Sequence, residues 1–215
     1  KPTIHVIGTG GTISGVGSSA TGAVYESGRV GASELVAEVG GLSQVTNIKT
    51  ENLFATGSEN LGPVEWRTLA RRIMQLTTSS DIDGVVVTHG TDTLEEASFF
   101  LDLVCKPSKP VVLTAAMRPA TALSADGPAN LYQAVLTAAS LKLSDHGILV
   151  VMNGKVIPGW QAIKTDSAAL ESFCAYPGGI IGHISGERII LSGESCTSPL
   201  SGMFSDHLNK GGKLP

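Results

Sequence analysis

The densest group of side chains capable of chemistry lies in the segment VVVTHGTDTLEEA, residues 85–97. His89, Thr91, Asp92 and Thr93 stand between three consecutive valines and a stretch typical of a helix. A threonine hydroxyl becomes a nucleophile when a base or an electric field activates it, and a carboxylate can pair with a substrate's ammonium group. The alternative is helix capping, which is worth ~1 kcal/mol. Capping would explain one of these residues and leave the others without a role.

A second reactive segment, Gly8-Thr9-Gly10-Gly11-Thr12-Ile13, follows the first apolar run. A dinucleotide-binding loop would need a third glycine where Ile13 stands, and no helical pattern or P-loop lysine follows. We therefore predict no nucleotide site. Adjacent glycines let backbone N–H groups approach a ligand, and Thr12 adds a hydroxyl there. A glycine-rich turn without function is the alternative.

Histidine and cysteine spacing argues against a metal site and a disulfide scaffold. The five histidines show no ligand spacing. His5 lies inside an apolar run and is expected in the core, whereas His89 is either a base or a group bonded to backbone. Cys105, Cys174 and Cys196 have no CxxC spacing, which excludes a zinc ribbon and a disulfide framework.

The composition indicates a well-buried domain without an obvious polyanionic partner. Of 215 residues, 42% are hydrophobic and 16% are charged, and the formal net charge is −4. This balance predicts an ordered interior, and it gives no electrostatic reason to bind nucleic acid or an anionic membrane. No apolar run approaches the ~20 residues of a membrane span, so we predict neither partner.

The order of apolar runs and helical patterns predicts an α/β fold. Strands buried on both faces are expected at residues 4–7, 84–87, 110–113 and 147–152. Helices are expected at residues 65–76, 93–104 and from 126 to about 141. This alternation predicts a mostly parallel open sheet flanked by helices, of the Rossmann-like kind, with an antiparallel hairpin at residues 180–191. Both reactive segments follow strands, so they should meet at the carboxyl edge, where such sheets bind ligands.

Seven strings resemble the bacterial-type L-asparaginases, more closely the secreted type II branch and its fungal relatives. In chain order they are GTGGTISG, VYESG, ATGSEN, VVVTHGTDTLEEASFFLDL, AAMRPATALSADGPANLY, VVMNGKV and AIKTDS. The resemblance runs from about Ile4 to Leu191. The pair TGGTI and HGTDT, about eighty residues apart, is its most specific part.

The resemblance implies hydrolysis of L-asparagine to L-aspartate and ammonia by threonine covalent catalysis, without metal or cofactor. Thr12 matches the family's primary nucleophile, and Tyr25 matches a loop tyrosine that closes over the substrate. Thr91, Asp92 and Lys164 match the second threonine group. From chemistry alone, Lys164 beside Asp92 could relay a proton if burial lowers the lysine pKa.

The resemblance also implies positions that hold the substrate. Ser58 and Glu59 match residues at its α-carboxylate and amino ends, together with Thr91 and Asp92, and the backbone near Ala116 matches the amide end of the pocket. Glu59 stands where many relatives have Gln, which bears on specificity.

Two backbone features should assist the chemistry. Gly10 and Gly11 are expected to expose N–H groups as donors for the tetrahedral intermediate. The Gly- and Ser-rich stretch 14–31 has the composition of a mobile lid.

The predicted organisation is a catalytic amino-terminal domain at residues 1–194 and a linker at 195–215, leading toward the smaller carboxyl-terminal domain into which family members continue. The resemblance implies a small-molecule substrate and a homo-oligomer in the full-length form. It implies a secreted or periplasmic location, with a cytoplasmic one left open. Three alternatives stand beside the asparaginase: a mixed glutaminase-asparaginase, the asparaginase-like subunit of a tRNA amidotransferase, and a fragment that binds amino acids without turnover.

Overall fold

The computed structural model describes residues 1–19, 24–192 and 198–209. Its strands are β1 (Thr3–Gly10), β2 (Val16–Gly17), β3 (Tyr25–Glu26), β4 (Asn47–Thr56), β5 (Gly84–Thr88), β6 (Val111–Thr114), β7 (Ile148–Met152), β8 (Lys155–Pro158), β9 (Ala162–Lys164), β10 (Phe173–Ala175), β11 (Gly182–Ser185) and β12 (Arg188–Leu191). Its α-helices are α1 (Ala32–Glu38), α2 (Leu42–Val45), α3 (Pro63–Thr78), α4 (Leu94–Val104), α5 (Gly127–Ala138) and α6 (Ser205–Asn209). Short 3-10 turns include Thr12–Ser14, Ser58–Asn60 and Gly159–Gln161.

One mixed sheet organises the molecule, in the order β12-β11-β8-β7-β6-β5-β1-β4. The neighbouring strands β4, β1, β5, β6 and β7 pair in parallel. The neighbouring strands β7, β8, β11 and β12 pair in antiparallel fashion. Two small ribbons, β2 with β3 and β9 with β10, stand apart from this sheet. The mostly parallel sheet and the antiparallel hairpin near residue 190 are confirmed.

The sheet is covered by helices on both faces because its inner strands are apolar on both faces. Side chains alternate along a strand. Val85 and Val87 therefore enter the cluster under α3 and α4, while Val86 enters the cluster under α1 and α5. All three valines are fully buried. This double burial is what the uninterrupted apolar run predicts.

The segment predicted as a linker contacts the domain over its described part. Arg71 Nε of α3 donates to the Leu208 carbonyl at 3.1 Å, and the Phe204 N–H donates to the Leu103 carbonyl at 2.9 Å. Leu208 is 2% exposed. Residues 195–197 and 210–215 of that prediction lie outside the described residues, and the boundary at 194 stays a prediction.

Two further predictions concern the cysteines and a membrane span. Cys105 and Cys174 carry free thiols, whereas Cys196 is outside the described ranges. Within the part of the chain that the structure describes, no helix has the length and hydropathy needed to cross a bilayer.

Candidate active site

The two reactive segments meet because their strands are neighbours. β1 and β5 pair in parallel with Gly8 opposite Thr88, so both strands end at the same edge of the sheet. Gly11 has φ 80° and ψ −175°, a conformation that is essentially restricted to glycine. A Cβ at this position would lie 2.3 Å from the Gly90 Cα. The glycine at position 11 therefore allows one loop's backbone to touch the other's.

A cavity of about 250 Å³ opens where these loops meet. Its lining brings together six of the eight predicted site residues: Thr12, Tyr25, Ser58, Glu59, Thr91 and Asp92. Gly11, Gly90 and Ser27 complete the lining. A larger cavity of about 610 Å³ between α1, α2 and β4 has no ionisable side chain in its lining. Because a catalytic site needs titratable and nucleophilic side chains, the cavity of about 250 Å³ is the candidate active site.

Thr12 is paired with Tyr25. The Thr12 Oγ1 and Tyr25 Oη atoms are 2.7 Å apart, and either hydroxyl can donate. Thr12 is 8% exposed at the start of a 3-10 turn, while Tyr25 is 38% exposed on β3. The β2–β3 ribbon sets the tyrosine's place through the pairing of Gly17 with Tyr25. The tyrosine thus covers a mostly buried threonine and gives its proton a hydroxyl acceptor.

Thr91 and Asp92 are joined by Lys164. The Lys164 Nζ donates to Thr91 Oγ1 and to Asp92 Oδ1, each at 2.9 Å. Thr91 is 6% exposed, whereas the Asp92 side chain is 66% exposed. An exposed ion pair of this kind adds little to stability. The arrangement therefore matters for the Thr91 hydroxyl: its oxygen accepts from the ammonium group, which leaves its own proton available to the cavity.

Helix capping does not account for these residues, so the capping interpretation is wrong. Helix α4 begins at Leu94, and its N-cap residue is Thr93, whose side chain makes no capping bond. The Thr93 Oγ1 instead donates to the Ser58 carbonyl at 2.9 Å. This bond ties the 58–60 turn to the segment that carries Thr91 and Asp92.

Ser58 and Glu59 form the third side of the cavity. They lie in the 3-10 turn that follows β4. Ser58 is 2% exposed, and a Cβ on Gly90 would lie 2.5 Å from its Oγ. Glu59 Oε1 accepts from Asn60 Nδ2 at 3.2 Å. A serine hydroxyl and two carboxylates, Glu59 and Asp92, suit a ligand that carries both a carboxylate and an ammonium group.

One predicted donor is not available. The Gly11 N–H donates to the Thr56 carbonyl at 2.8 Å, so the prediction that it faces the ligand is wrong. The reason is that β1 runs on to Gly10, which keeps the edge strand β4 alongside it.

Ala116 is separate from the cavity. It is fully buried after β6 and is not part of the cavity lining. The next two N–H groups, of Met117 and Arg118, donate to the Asp126 carboxylate at 3.0 and 2.9 Å. The role of the Ala116 backbone stays a prediction.

His89 is a structural neighbour of the site and is not a base in it. It is fully buried, and its Nδ1 lies 2.8 Å from the Gly90 carbonyl. Burial lowers the pKa of His89 to about 4, so the ring stays neutral at physiological pH. Over the described ranges, no group of three or more His, Cys, Asp or Glu side chains could hold a metal ion.

Comparison with known proteins gives consistent matches. A family model described as "Asparaginase, N-terminal" matches residues 3–196. The chain is 45% identical over 188 residues to L-asparaginase 2 of Escherichia coli K12, which covers 87% of the chain and 53% of that protein. It is 43% identical over 171 residues to the glutaminase-asparaginase of Pseudomonas fluorescens biotype A, covering 79% and 47%.

The fold match agrees with the sequence matches. The crystal structure titled as a probable cytoplasmic L-asparaginase from Campylobacter jejuni superposes with a TM-score of 0.87 at 37% identity. The match covers 90% of this chain and 59% of that one. The chain thus spans about half the length of the curated relatives it matches.

Proposed function

Because the chain belongs to the asparaginase N-terminal family, we propose that it catalyses the hydrolysis of L-asparagine to L-aspartate and ammonia. One observation carries the proposal. Two threonine hydroxyls share a single cavity, one of them bonded to Tyr25 and the other to Lys164. This is the arrangement that covalent amide hydrolysis by a threonine requires, because each hydroxyl has a partner that can take up or supply a proton.

In the proposed acylation the Thr12 Oγ1 attacks the side-chain carboxamide carbon. Tyr25 accepts the threonine's proton across the 2.7 Å bond and gives up its own phenolic proton to the other hydroxyls lining the cavity. The C–N bond then breaks, and a proton passes through the hydroxyls lining the cavity to the leaving nitrogen, which departs as NH₃. Thr91 is the proposed donor at this point, because Lys164 occupies its oxygen and leaves its proton free. The proton given up by Tyr25 then restores the Thr91 hydroxyl.

In the proposed deacylation, water attacks the ester formed on Thr12. The bond between Thr12 Oγ1 and the acyl carbon breaks, and aspartate is released. The proton lost by water restores the threonine hydroxyl. Asp92 and Glu59 hold the substrate's α-ammonium group, and the Ser58 hydroxyl holds its α-carboxylate. These contacts orient the carboxamide toward Thr12.

A second candidate function, glutamine hydrolysis at the same site, is favoured by one observation. The relative from Pseudomonas fluorescens that is named a glutaminase-asparaginase shares 43% of its residues with the chain in the matched region. Glutamine is longer by one methylene. An extra methylene in a pocket changes the transition-state free energy by ~1–3 kcal/mol, so activity on both substrates is compatible with one site.

Measuring ammonia release distinguishes asparagine hydrolysis, glutamine hydrolysis and binding without turnover. The chain should be assayed with asparagine, glutamine and buffer alone, beside calorimetric titration of asparagine. Release with asparagine above buffer supports the proposal, and comparable release with glutamine supports the mixed specificity. Asparagine binding without ammonia release in a folded chain would instead support a binding fragment.

The same resemblance supports proposals for organisation and location. Residues 1–194 form the catalytic domain, and the full-length protein assembles as a homo-oligomer, which sedimentation analysis would test. The likeness to the type II branch favours export from the cytoplasm, whereas the Campylobacter jejuni relative is titled cytoplasmic. Cell fractionation of the source organism separates the two locations.

A further inference from the structure

Lys164 depends on contacts outside the main sheet for its position. It ends β9, a three-residue strand that pairs with β10 in a separate ribbon. Thr91 and Asp92, by contrast, follow a central strand and lead into α4. The ladder bonds of the main sheet therefore do not fix the distance between the lysine and the two groups it joins. A contact between β9 and α4 has to do so.

Glu95 makes that contact. Its Oε2 accepts from the Lys164 backbone N–H at 2.5 Å, across 69 residues of sequence. Glu95 lies in the first turn of α4, three positions after Asp92, so its backbone is rigidly continuous with the reactive segment. It is half-buried, and it is not part of the cavity lining. The carboxylate thus contacts the lysine's main chain without lining the cavity.

A second bond holds the same two elements together. The Ser98 Oγ, one turn further along α4, lies 2.8 Å from the Gly159 carbonyl, in the 3-10 turn that leads into β9. This bond fixes the start of the segment, whereas the Glu95 bond fixes its end at Lys164. Because side-chain rotamers extend from the main chain, a shift of the Lys164 backbone moves the ammonium away from both of its acceptors.

We propose that Glu95 is a positioning residue for the reaction: it holds the Lys164 main chain so that the ammonium contacts Thr91 and Asp92 together. The inference rests on the proposed asparagine hydrolysis. It assigns the effect to the hydrogen-bond acceptor of Glu95. Glutamine offers a carbonyl oxygen in nearly the same place without the charge, so Glu95→Gln should preserve the function and Glu95→Ala should lose it.

Helix electrostatics is the competing explanation. A carboxylate in the first turn stabilises a helix through the helix dipole, and Glu95 and Glu96 both occupy that turn. Glu96 is exposed. Glu96→Ala is therefore the matched control, because it removes the same charge from the same turn and leaves the Lys164 contact in place.

The kinetic experiment compares Glu95→Ala, Glu95→Gln and Glu96→Ala with the unmodified chain. A misplacement of ~1 Å can lower a rate ~10²-fold, so Glu95→Ala should lower kcat by about that factor with a smaller change in KM. Glu95→Gln and Glu96→Ala should stay within about threefold. A folded Glu95→Ala variant with unchanged kcat overturns the proposal. So does a Glu95→Gln variant as impaired as Glu95→Ala, which would assign the effect to charge.

A readout that needs no activity separates this inference from the proposed function. The Lys164 amide proton should exchange slowly with solvent because it is bonded to Glu95, and this protection should be lost in Glu95→Ala and persist in Glu95→Gln and Glu96→Ala. If the chain releases no ammonia but shows this pattern, the proposed function fails and the positioning contact stands. A Lys164 amide proton that exchanges as fast in the unmodified chain as in Glu95→Ala overturns the contact itself.

Discussion

Replacing Gly11 with alanine should separate the two reactive loops. The Cβ of alanine would stand 2.3 Å from the Gly90 Cα and 2.4 Å from the Gly90 N, both of them main-chain atoms that no rotamer change can move. Ordinary van der Waals contact begins at about 3.4 Å. The loops carrying Thr12 and Thr91 must therefore move apart by about 1 Å.

Two separate effects follow from this substitution. The backbone conformation at Gly11, φ 80° and ψ −175°, costs a non-glycine residue ~1–3 kcal/mol, which should lower the free energy of unfolding. The separation of the loops costs activity, because ~1 Å of misplacement between reacting groups lowers a rate ~10²-fold. Gly11→Ala should thus lose about two orders of magnitude in kcat while remaining folded.

Gly41→Ala is the matched control for strain without a clash. Gly41 has a similar φ of 85°, and its nearest neighbour to a new Cβ is a ring carbon of Tyr132 at 3.8 Å. It should lose stability by ~1–2 kcal/mol and keep its turnover. Ammonia release and thermal unfolding of both variants give the comparison. Near-normal turnover in Gly11→Ala, with a loss of stability equal to that of Gly41→Ala, would refute the close-contact reasoning.

Three further predictions concern single groups. Thr12→Ala and Thr91→Val should each lower turnover at least ~10³-fold, because nucleophile and activating groups act as a unit; single-turnover ammonia release tests this, and a Thr91→Val variant with normal turnover contradicts it. Tyr25→Phe removes the 2.7 Å partner of Thr12 and should lower kcat on the order of 10²-fold with little change in melting temperature. His89, with a pKa of about 4 in the fold and 6.5 when exposed, binds a proton more readily in the unfolded chain. The free energy of unfolding should therefore fall by up to about 3 kcal/mol as pH drops from 6.5 to 4. In His89→Gln, the free energy of unfolding measured by urea titration should depend less on pH over this range.

The inner part of the fold could be predicted because those strands are buried on both faces. The predicted runs at 84–87 and 147–152 correspond to β5 and β7. The edge strand β4 did not stand out, since one side of it is open and its sequence NIKTENLFAT mixes polar with apolar residues. Strand β8 had a readable signal that was missed: Asn153-Gly154, with φ of 48° and 74°, is the turn typical of a two-residue hairpin.

The sequence predicted most of the residues of the candidate site, but few of the contacts between them. The rule that both reactive segments end at one sheet edge is general, but the adjacency of β1 and β5 depends on strand order, which spacing does not determine. The bond from Gly11 to Thr56 was hidden for the same reason, because it depends on where β4 lies. Glu95 was missed because nothing in a sequence marks which side chain will reach a main-chain group 69 residues away. Ser27 lines the cavity, but in the sequence it is one of several serines in the Gly- and Ser-rich stretch 14–31.

The contacts divide the site into a fixed floor and two attached ribbons. The floor is held by one contact between main chains, Gly11 against Gly90, and by one side-chain bond to the main chain, from Thr93 Oγ1 to the Ser58 carbonyl. Both groups that contact the threonine hydroxyls come from outside the main sheet, Tyr25 from the β2–β3 ribbon and Lys164 from the β9–β10 ribbon. Small ribbons have few ladder bonds and open more readily than a central sheet.

This division assigns different consequences to the two parts. Loosening a ribbon moves a proposed activating group away from its threonine and leaves the proposed substrate contacts of the floor in place, so it should lower kcat more than it raises KM. A change in the floor moves the proposed nucleophile Thr12 and the proposed substrate contacts together, so both kcat and KM should change. Glu95 and Gly11 are the residues at which the two cases can be told apart, since one ties a ribbon to α4 and the other joins the two halves of the floor.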